Sequence, residues 1–132
     1  MKKKKVLIIG GILLVVLVCM AIGLTNGLTE VANVTLSGVE LTNIPDGSYT
    51  GVFEWGRWSN TLVVHVKDHQ ITSIDIVSDV VGAFVTNCSE EVFRRVIAAR
   101  DTRVDAVSGA TVTSMAYLMA IEDALNKGIE DD

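Results

Sequence analysis

The chain has 132 residues, room for one small domain, and about half of them are apolar. Its 16 acidic residues outnumber 11 basic ones, and no basic patch is present, which excludes the electrostatic face of a nucleic-acid reader. Two lone cysteines, Cys19 and Cys88, and no zinc-type Cys/His spacing leave no disulfide framework and no metal motif to build on.

Lys2, Lys3, Lys4 and Lys5 precede an uncharged apolar run over residues 6–28. Such a run crosses a hydrocarbon core of roughly 30 Å as a single helix. The lysines predict a cytoplasmic N-terminus with the rest of the chain outside. An uncleaved signal anchor is the favoured reading. A cleaved signal peptide would have a shorter apolar core and a small-residue exit; a lipoprotein would need a small residue before Cys19, where Val18 stands. Residues 29–132 then hold all 16 acidic residues against seven basic ones, a formal charge of −9. That balance suits solubility beside an anionic membrane surface.

Residues 29–45 alternate polar and apolar and end at the only proline, Pro45. They read as a linker or stalk, with one weak strand around residues 34–36, and the globular domain spans residues 46–132. "SYTGVFEW" (residues 48–55) has strand composition, with Gly51 marking a bulge or a close approach. After the turn "GRWSN", "TLVVHVK" places Leu62, Val64 and Val66 on one face of a half-buried strand. Asp68, His69 and Gln70 make a hairpin turn into a third strand, "ITSIDIVSD", with Ile74 and Ile76 facing inward.

Two helices come next. Asn87 or Ser89 caps "SEEVFRRVIAAR", with Glu90 and Glu91 in its first turn, Arg100 in its last, and Val92, Val96 and Ala99 as the buried stripe widened by Phe93 and Ile97. Residues 101–107 connect, with the pattern of a short edge strand. "TSMAYLMAIEDALNK" then repeats Met115, Leu118, Ile121 and Leu125 at helical spacing, and Gly128 reads as its stop. Cys88 reads as a small buried hydrophobe. The expected fold is α+β: a small antiparallel sheet of three or more strands packed with two helices, preceded by one transmembrane helix. So thin a core gains stability from a bound cofactor or partner.

The chemistry concentrates in "VDAVSGATVTS", residues 104–114. It ends a loop and opens a helix, where free N–H groups and the helix dipole attract an anion. Gly109 and Ala110 leave room, and Ser108, Thr111, Thr113 and Ser114 offer hydroxyls. No Gly-Lys-[Ser/Thr] is present at the required spacing, so this is not a P-loop. These residues alone fit a capped helix after a tight turn equally well.

The stretch from Asp105 to Thr111 resembles the flavinylation motif, Asp-x-x-[Ser/Thr]-Gly-Ala-[Thr/Ser], of the FMN-binding domain family. Flavoprotein subunits of sodium-pumping NADH:quinone reductases and of their ferredoxin-oxidising relatives belong to that family. "DGSYTG", "VKDHQITSIDIVS" and the closing "EDALNKG" resemble its small members as well, so the likeness runs over residues 46–128. The resemblance implies FMN esterified through its phosphate to Thr111, with Asp105, Ser108, Gly109, Ala110 and Thr113 seating it or being read by a dedicated extracytoplasmic flavin transferase. It also implies a membrane redox donor and an extracytoplasmic acceptor. Larger members carry a glycine-rich loop and a Glu-Thr-Pro-Gly-like segment where this chain has "EWGRWSN" and "DVVGAFVTN". Their flavin-ring pocket therefore does not transfer, and Trp55, Trp58 and Phe84 are the local candidates for stacking.

No constellation for substrate turnover is visible in the sequence. The expectation is a membrane-anchored extracytoplasmic electron carrier with covalent FMN. A noncovalent FMN module and a flavin-free anchored interaction domain are the alternatives.

Overall fold

A computed structural model describes residues 1–25, 28–80 and 87–130. The apolar run forms helix α1, Lys2–Thr25, the start of the one segment among the described residues long and apolar enough to cross a membrane. At 1.5 Å per residue, α1 is about 36 Å long. Thr25 Oγ1 donates to the carbonyls of Ala21 and Ile22 and so serves its last turn. A short helix, α2, occupies Leu28–Ala32. Met1–Glu30 and Val31–Asp132 are separate compact units. The sheet, its packed helices and the hydroxyl-rich loop all belong to the second.

Three strands, β1 (Gly47–Phe53), β2 (Asn60–Lys67) and β3 (Gln70–Asp79), form an antiparallel sheet in the order β1-β2-β3. Helices α3 (Cys88–Ala99) and α4 (Thr111–Glu130) pack against it. Period-two alternation works as expected on β2, where Leu62, Val64 and Val66 are buried. The β2–β3 turn uses Asp68 and His69, both left-handed, as a two-residue hairpin favours. Neither is glycine, and bonds to the segment before β1 hold both. Asp68 N donates to Asp46 Oδ1 at 2.8 Å, and His69 Nδ1 lies 3.3 Å from Leu41 O.

On β3 the expected inward pair is half realised. Ile74 is buried, but Ile76 is 40 % exposed although it pairs with Leu62. The register shift between His65 and Val66 brings Ile71 opposite Val66, and Ile71 fills the core instead. Ile76 is left towards the far end of the strand at the sheet's edge.

The other edge, β1, is closed by α4. Asp123 Oδ2 accepts from Val52 N at 2.9 Å, and Lys127 Nζ donates to Thr50 O at 3.1 Å, while the two side chains pair at 2.8 Å. An i,i+4 ion pair thus satisfies backbone groups that an open edge would offer to another strand. Beneath it, α4 presents a stripe of small residues, Ala116, Ala120, Ala124 and Gly128, all buried. These let β1 approach at Gly51, which pairs regularly with Leu62. Of the two readings of Gly51, close approach is the one found.

No strand forms at residues 34–36. Ser37 N instead donates to Glu122 Oε1 of α4 at 3.0 Å, and Val39, Leu41 and Ile44 join the buried core. Ile44 is fully buried and meets Gly128 so closely that a Cβ there would lie 2.8 Å from Ile44 Cγ2. This also explains why Gly128 does not stop the helix: tertiary packing uses it as a contact point, and α4 continues to Glu130. Ile44→Ala is expected to destabilise the unit by about 2–5 kcal/mol through lost burial and a cavity, read as a lowered denaturation midpoint. A change under about 0.5 kcal/mol would show that this segment is not part of the folded unit.

On α3 the buried face is Cys88, Val92 and Val96; Ala99 is exposed and Arg100 lies past the end. Arg100 closes the helix in the left-handed conformation, φ 55°. Asn87 occupies the N-cap position without a side-chain cap bond. Phe93 meets the Tyr117 ring edge-on at 5.7 Å, joining α3 to α4.

Candidate functional site

Helix α4 begins at Thr111, two residues before the hydrophobic spacing suggested. Ala110 supplies the cap carbonyl, accepting Ser114 N at 2.8 Å and Ser114 Oγ at 2.7 Å. Ser114 Oγ in turn accepts Val107 N at 3.0 Å and lies 3.5 Å from Cys88 Sγ. Fully buried, Ser114 is therefore a clamp on the preceding loop and is not available to a ligand. Ala110 N donates to Val107 O at 3.0 Å, closing the tight turn in which Gly109 takes φ +79°. A side chain at Gly109 would meet open space, so glycine is needed there for its backbone and not for lack of room.

The loop shape exposes what the sequence singled out. Asp105, Ser108, Gly109 and Thr111 are exposed, Ala110 is half-buried, and Thr113, two residues further on, is 7 % exposed. Among the described residues, none accepts a hydrogen bond from the N–H of Thr111, Val112 or Thr113. No acidic side chain stands in the first turn of α4. Free donors, the dipole and an exposed hydroxyl with no competing carboxylate are what a phosphate monoester or diester requires.

The start of α4 lies at one end of the sheet. Tyr117, less than two turns on, donates its hydroxyl to the Asp79 carboxylate at the end of β3. Burial, and then that hydrogen bond, hold the Tyr117 phenol above its ordinary range, so it stays protonated and keeps donating. Asp79 pairs across the sheet with Asn60, and Asn60 with Phe53. Asn60 is 4 % exposed and keeps a buried carboxamide oxygen with no partner among the described residues. An unpaired buried acceptor is costly, and this one sits at the end of the sheet where the motif lies.

Two of the three candidate rings can be compared. Trp58 is buried, with the Arg57 guanidinium 4.4 Å from its ring centroid, so it serves as core and cation–π platform. Trp55 is 42 % exposed. Its backbone N–H is held by Ser59 Oγ at 3.0 Å, and Ser59 O accepts from Val80 N, which brings exposed Val80 to the same end. Phe84 lies outside the described residues.

The connection over residues 101–107 is not an edge strand, and two residues outside the motif say why. Arg95 Nη1 on α3 donates to Asp105 O at 2.8 Å and to Ala106 O at 3.1 Å. Successive carbonyls converging on one nitrogen are incompatible with the alternating directions of a strand. Glu122 Oε2 accepts from Thr102 Oγ1 at 3.0 Å, and Thr102 is fully buried. The break that Glu122 makes in the apolar stripe of α4 was readable; its partners Thr102 and Ser37 were not. Arg95 carried no local sign beyond its i,i+4 spacing from Glu91.

A search of curated proteins finds no match to this chain. The family model of the FMN-binding domain matches residues 56–126, from the turn after β1 through most of α4. With more than half of its length matched, including the whole hydroxyl-rich loop and the first four turns of α4, the chain belongs to the FMN-binding domain family.

Proposed function

We propose that this chain is a membrane-anchored electron carrier that holds FMN covalently, through a phosphoester on Thr111, outside the cytoplasm. The observation that carries the reading is Thr111 itself. Its hydroxyl is exposed at the first position of α4, beside N–H groups without acceptors, inside the matched domain. Thr111 Oγ1 forms the bond to phosphorus and gives up its proton. The bond that breaks is the anhydride of an activated flavin phosphate such as FAD, whose other half leaves. A flavin transferase catalyses the exchange.

FMN supplies one- and two-electron redox chemistry when bound. The residues of this chain seat and orient it. Gly109 sets the left-handed turn, Ala110 leaves space at the phosphate, Ser108 offers a hydroxyl, and the first turn of α4 offers backbone donors. Trp55 is the exposed ring for the isoalloxazine to meet. Thr113, buried behind Thr111, shapes the first turn from inside. A covalent tether suits an extracytoplasmic domain, where a dissociating cofactor is lost to dilution. Lys2 to Lys5 hold the N-terminus in the cytoplasm, so the flavin faces a membrane redox donor and an extracytoplasmic acceptor.

The test is the intact mass of the full chain, extracted in detergent from cells that export a flavin transferase. A gain equal to FMN minus water, kept through denaturation, supports covalent attachment; flavin released by denaturant points to noncovalent binding, and a colourless unmodified chain to neither. Asp105 is exposed, and its side chain has no partner among the described residues. Asp105→Ala is therefore expected to lower the modified fraction severalfold while shifting stability by no more than about 0.5 kcal/mol. A fully flavinylated, stable D105A chain would remove Asp105 from the recognition set.

A further inference from the structure

We propose that Arg95, outside the motif, is a positioning residue for flavin attachment: from α3 it holds the backbone of Asp105 and Ala106, and with it the loop shape that presents Thr111 to the transferase. The proposal rests on the covalent reading above and extends it to a side chain on a different helix. Three contacts define the role. Arg95 Nε donates to Glu91 Oε1 at 2.8 Å, and Nη1 donates to both Asp105 O and Ala106 O. One planar guanidinium thereby ties the first turn of α3 to the first two residues of the motif. Lysine, a point donor, cannot span all three acceptors.

The anchoring end is itself held. Arg94 makes a two-pronged contact to Glu91, at 2.6 and 2.9 Å, and shares Oε1 with Arg95. Hydrogen bonds from Arg94, and then from Arg95, hold the Glu91 carboxyl at about 2, well below the usual carboxylate range. A depressed acid contributes above its unfolded pKa and loses that contribution only as pH falls through its folded one, so Glu91 is an ionised acceptor for Arg95 around neutral pH.

The loop is gripped at two points. Ser114 holds Val107 N and Ala110 O from α4, while Arg95 holds Asp105 O and Ala106 O from α3. Ser114 is buried, and its grip ends at Val107. Val104 and Val107 pack against the core on either side of Asp105 and Ala106, but among the described side chains Arg95 alone hydrogen-bonds the backbone of these two residues. With those carbonyls turned towards α3, Asp105, Ser108 and Thr111 remain exposed. Without the strut, the transferase would have to order the segment at each encounter, and misplacement of about 1 Å in such a step costs on the order of a hundredfold in rate. A groove of about 560 Å³ lined by Arg94, Arg95, Ala98, Val104 and Asp105, among others, leaves the guanidinium reachable from solvent.

The experiment uses the full chain in detergent, produced without transferase, as wild type, Arg95→Ala and Arg95→Lys. Hydrogen exchange of the unmodified chain is recorded first. The time course of mass gain is then measured, with transferase and FAD added. R95A is expected to lose protection at the Val107 and Ala110 amides, the two bonded N–H groups of the loop, while β2 and α4 keep theirs, and to be flavinylated about ten- to a hundredfold more slowly. R95K should fall between, and methylguanidinium should return R95A towards the wild-type rate. A flavinylated wild type with R95A at the same rate, or with unchanged loop protection, overturns the proposal alone. General loss of protection in both variants also overturns it, because Arg95 would then be holding the whole domain. A wild type that gains no mass overturns the covalent reading, and this proposal with it.

Discussion

Thr111→Ala is expected to abolish the covalent flavin: the denatured variant should show the unmodified mass under conditions in which the wild type gains FMN minus water. No other change in the loop should have so complete an effect. Asp105, Ser108 and Gly109 can alter how fast the bond forms, but only Thr111 is proposed to supply the oxygen that becomes part of it. Because Thr111 is exposed and its side chain makes no hydrogen bond to the described residues, its replacement should move stability by no more than about 0.5 kcal/mol. The missing flavin would then reflect chemistry and not unfolding. Thr111→Ser keeps the hydroxyl and should retain attachment at a reduced rate, since the added rotamer freedom of serine removes the orientation a β-branched side chain provides. A T111A chain that still carries the mass would transfer the bond to another hydroxyl. Ser108 is the exposed choice, and the double variant would decide it.

The two scales at which the sequence can be read separate clearly in this molecule. Alternation on β2 announced Leu62, Val64 and Val66 because a sheet covered on one face imposes period two. The loop around Gly109 was legible for a similar reason: a tight turn, small residues and hydroxyls at a helix start are local requirements that leave local marks, although the left-handed backbone of Gly109 was not among the expectations. Contacts made across the fold left none. The face of α4 against β1 consists of Ala116, Ala120, Ala124 and Gly128, which carry little hydrophobic signal, so the larger Leu118, Ile121 and Leu125 were noticed and the close-packed face was not. Gly128 obeyed a local stop rule that Ile44 and Tyr49 overrode by packing on it. Residues 29–45 looked like a stalk because Ile44 lies in a short, mixed stretch with no period of its own. Arg95 had the ordinary appearance of a solvated helix residue; its two carbonyl partners lie ten and eleven positions away.

Gly51→Ala is expected to produce the largest loss of stability of any single methyl added to the sheet. A Cβ at Gly51 would fall 1.8 Å from Ala120 O and 2.9 Å from the Ala124 Cβ. The first of these is backbone inside a helix and cannot rotate away. Either α4 lifts from β1 or the strand bends outward, and each movement separates Asp123 and Lys127 from the edge groups of Val52 and Thr50 that they satisfy. Overpacking ordinarily costs about 1–3 kcal/mol and more where nothing can yield; here about 3 kcal/mol or more is expected. For a unit of this size that corresponds to a fall of roughly 12 °C or more in the melting midpoint. Separating the helix from the sheet should also disturb the far end of α4, where Tyr117 meets Asp79 and Thr111 meets solvent. G51A is therefore expected to lose flavinylation in proportion to its unfolded fraction, and to recover it on cooling. A G51A chain as stable as the wild type would mean that β1 and α4 are not in backbone contact. A stable chain that nevertheless failed to be modified would mean that the transferase reads the β1–α4 surface as well as the loop.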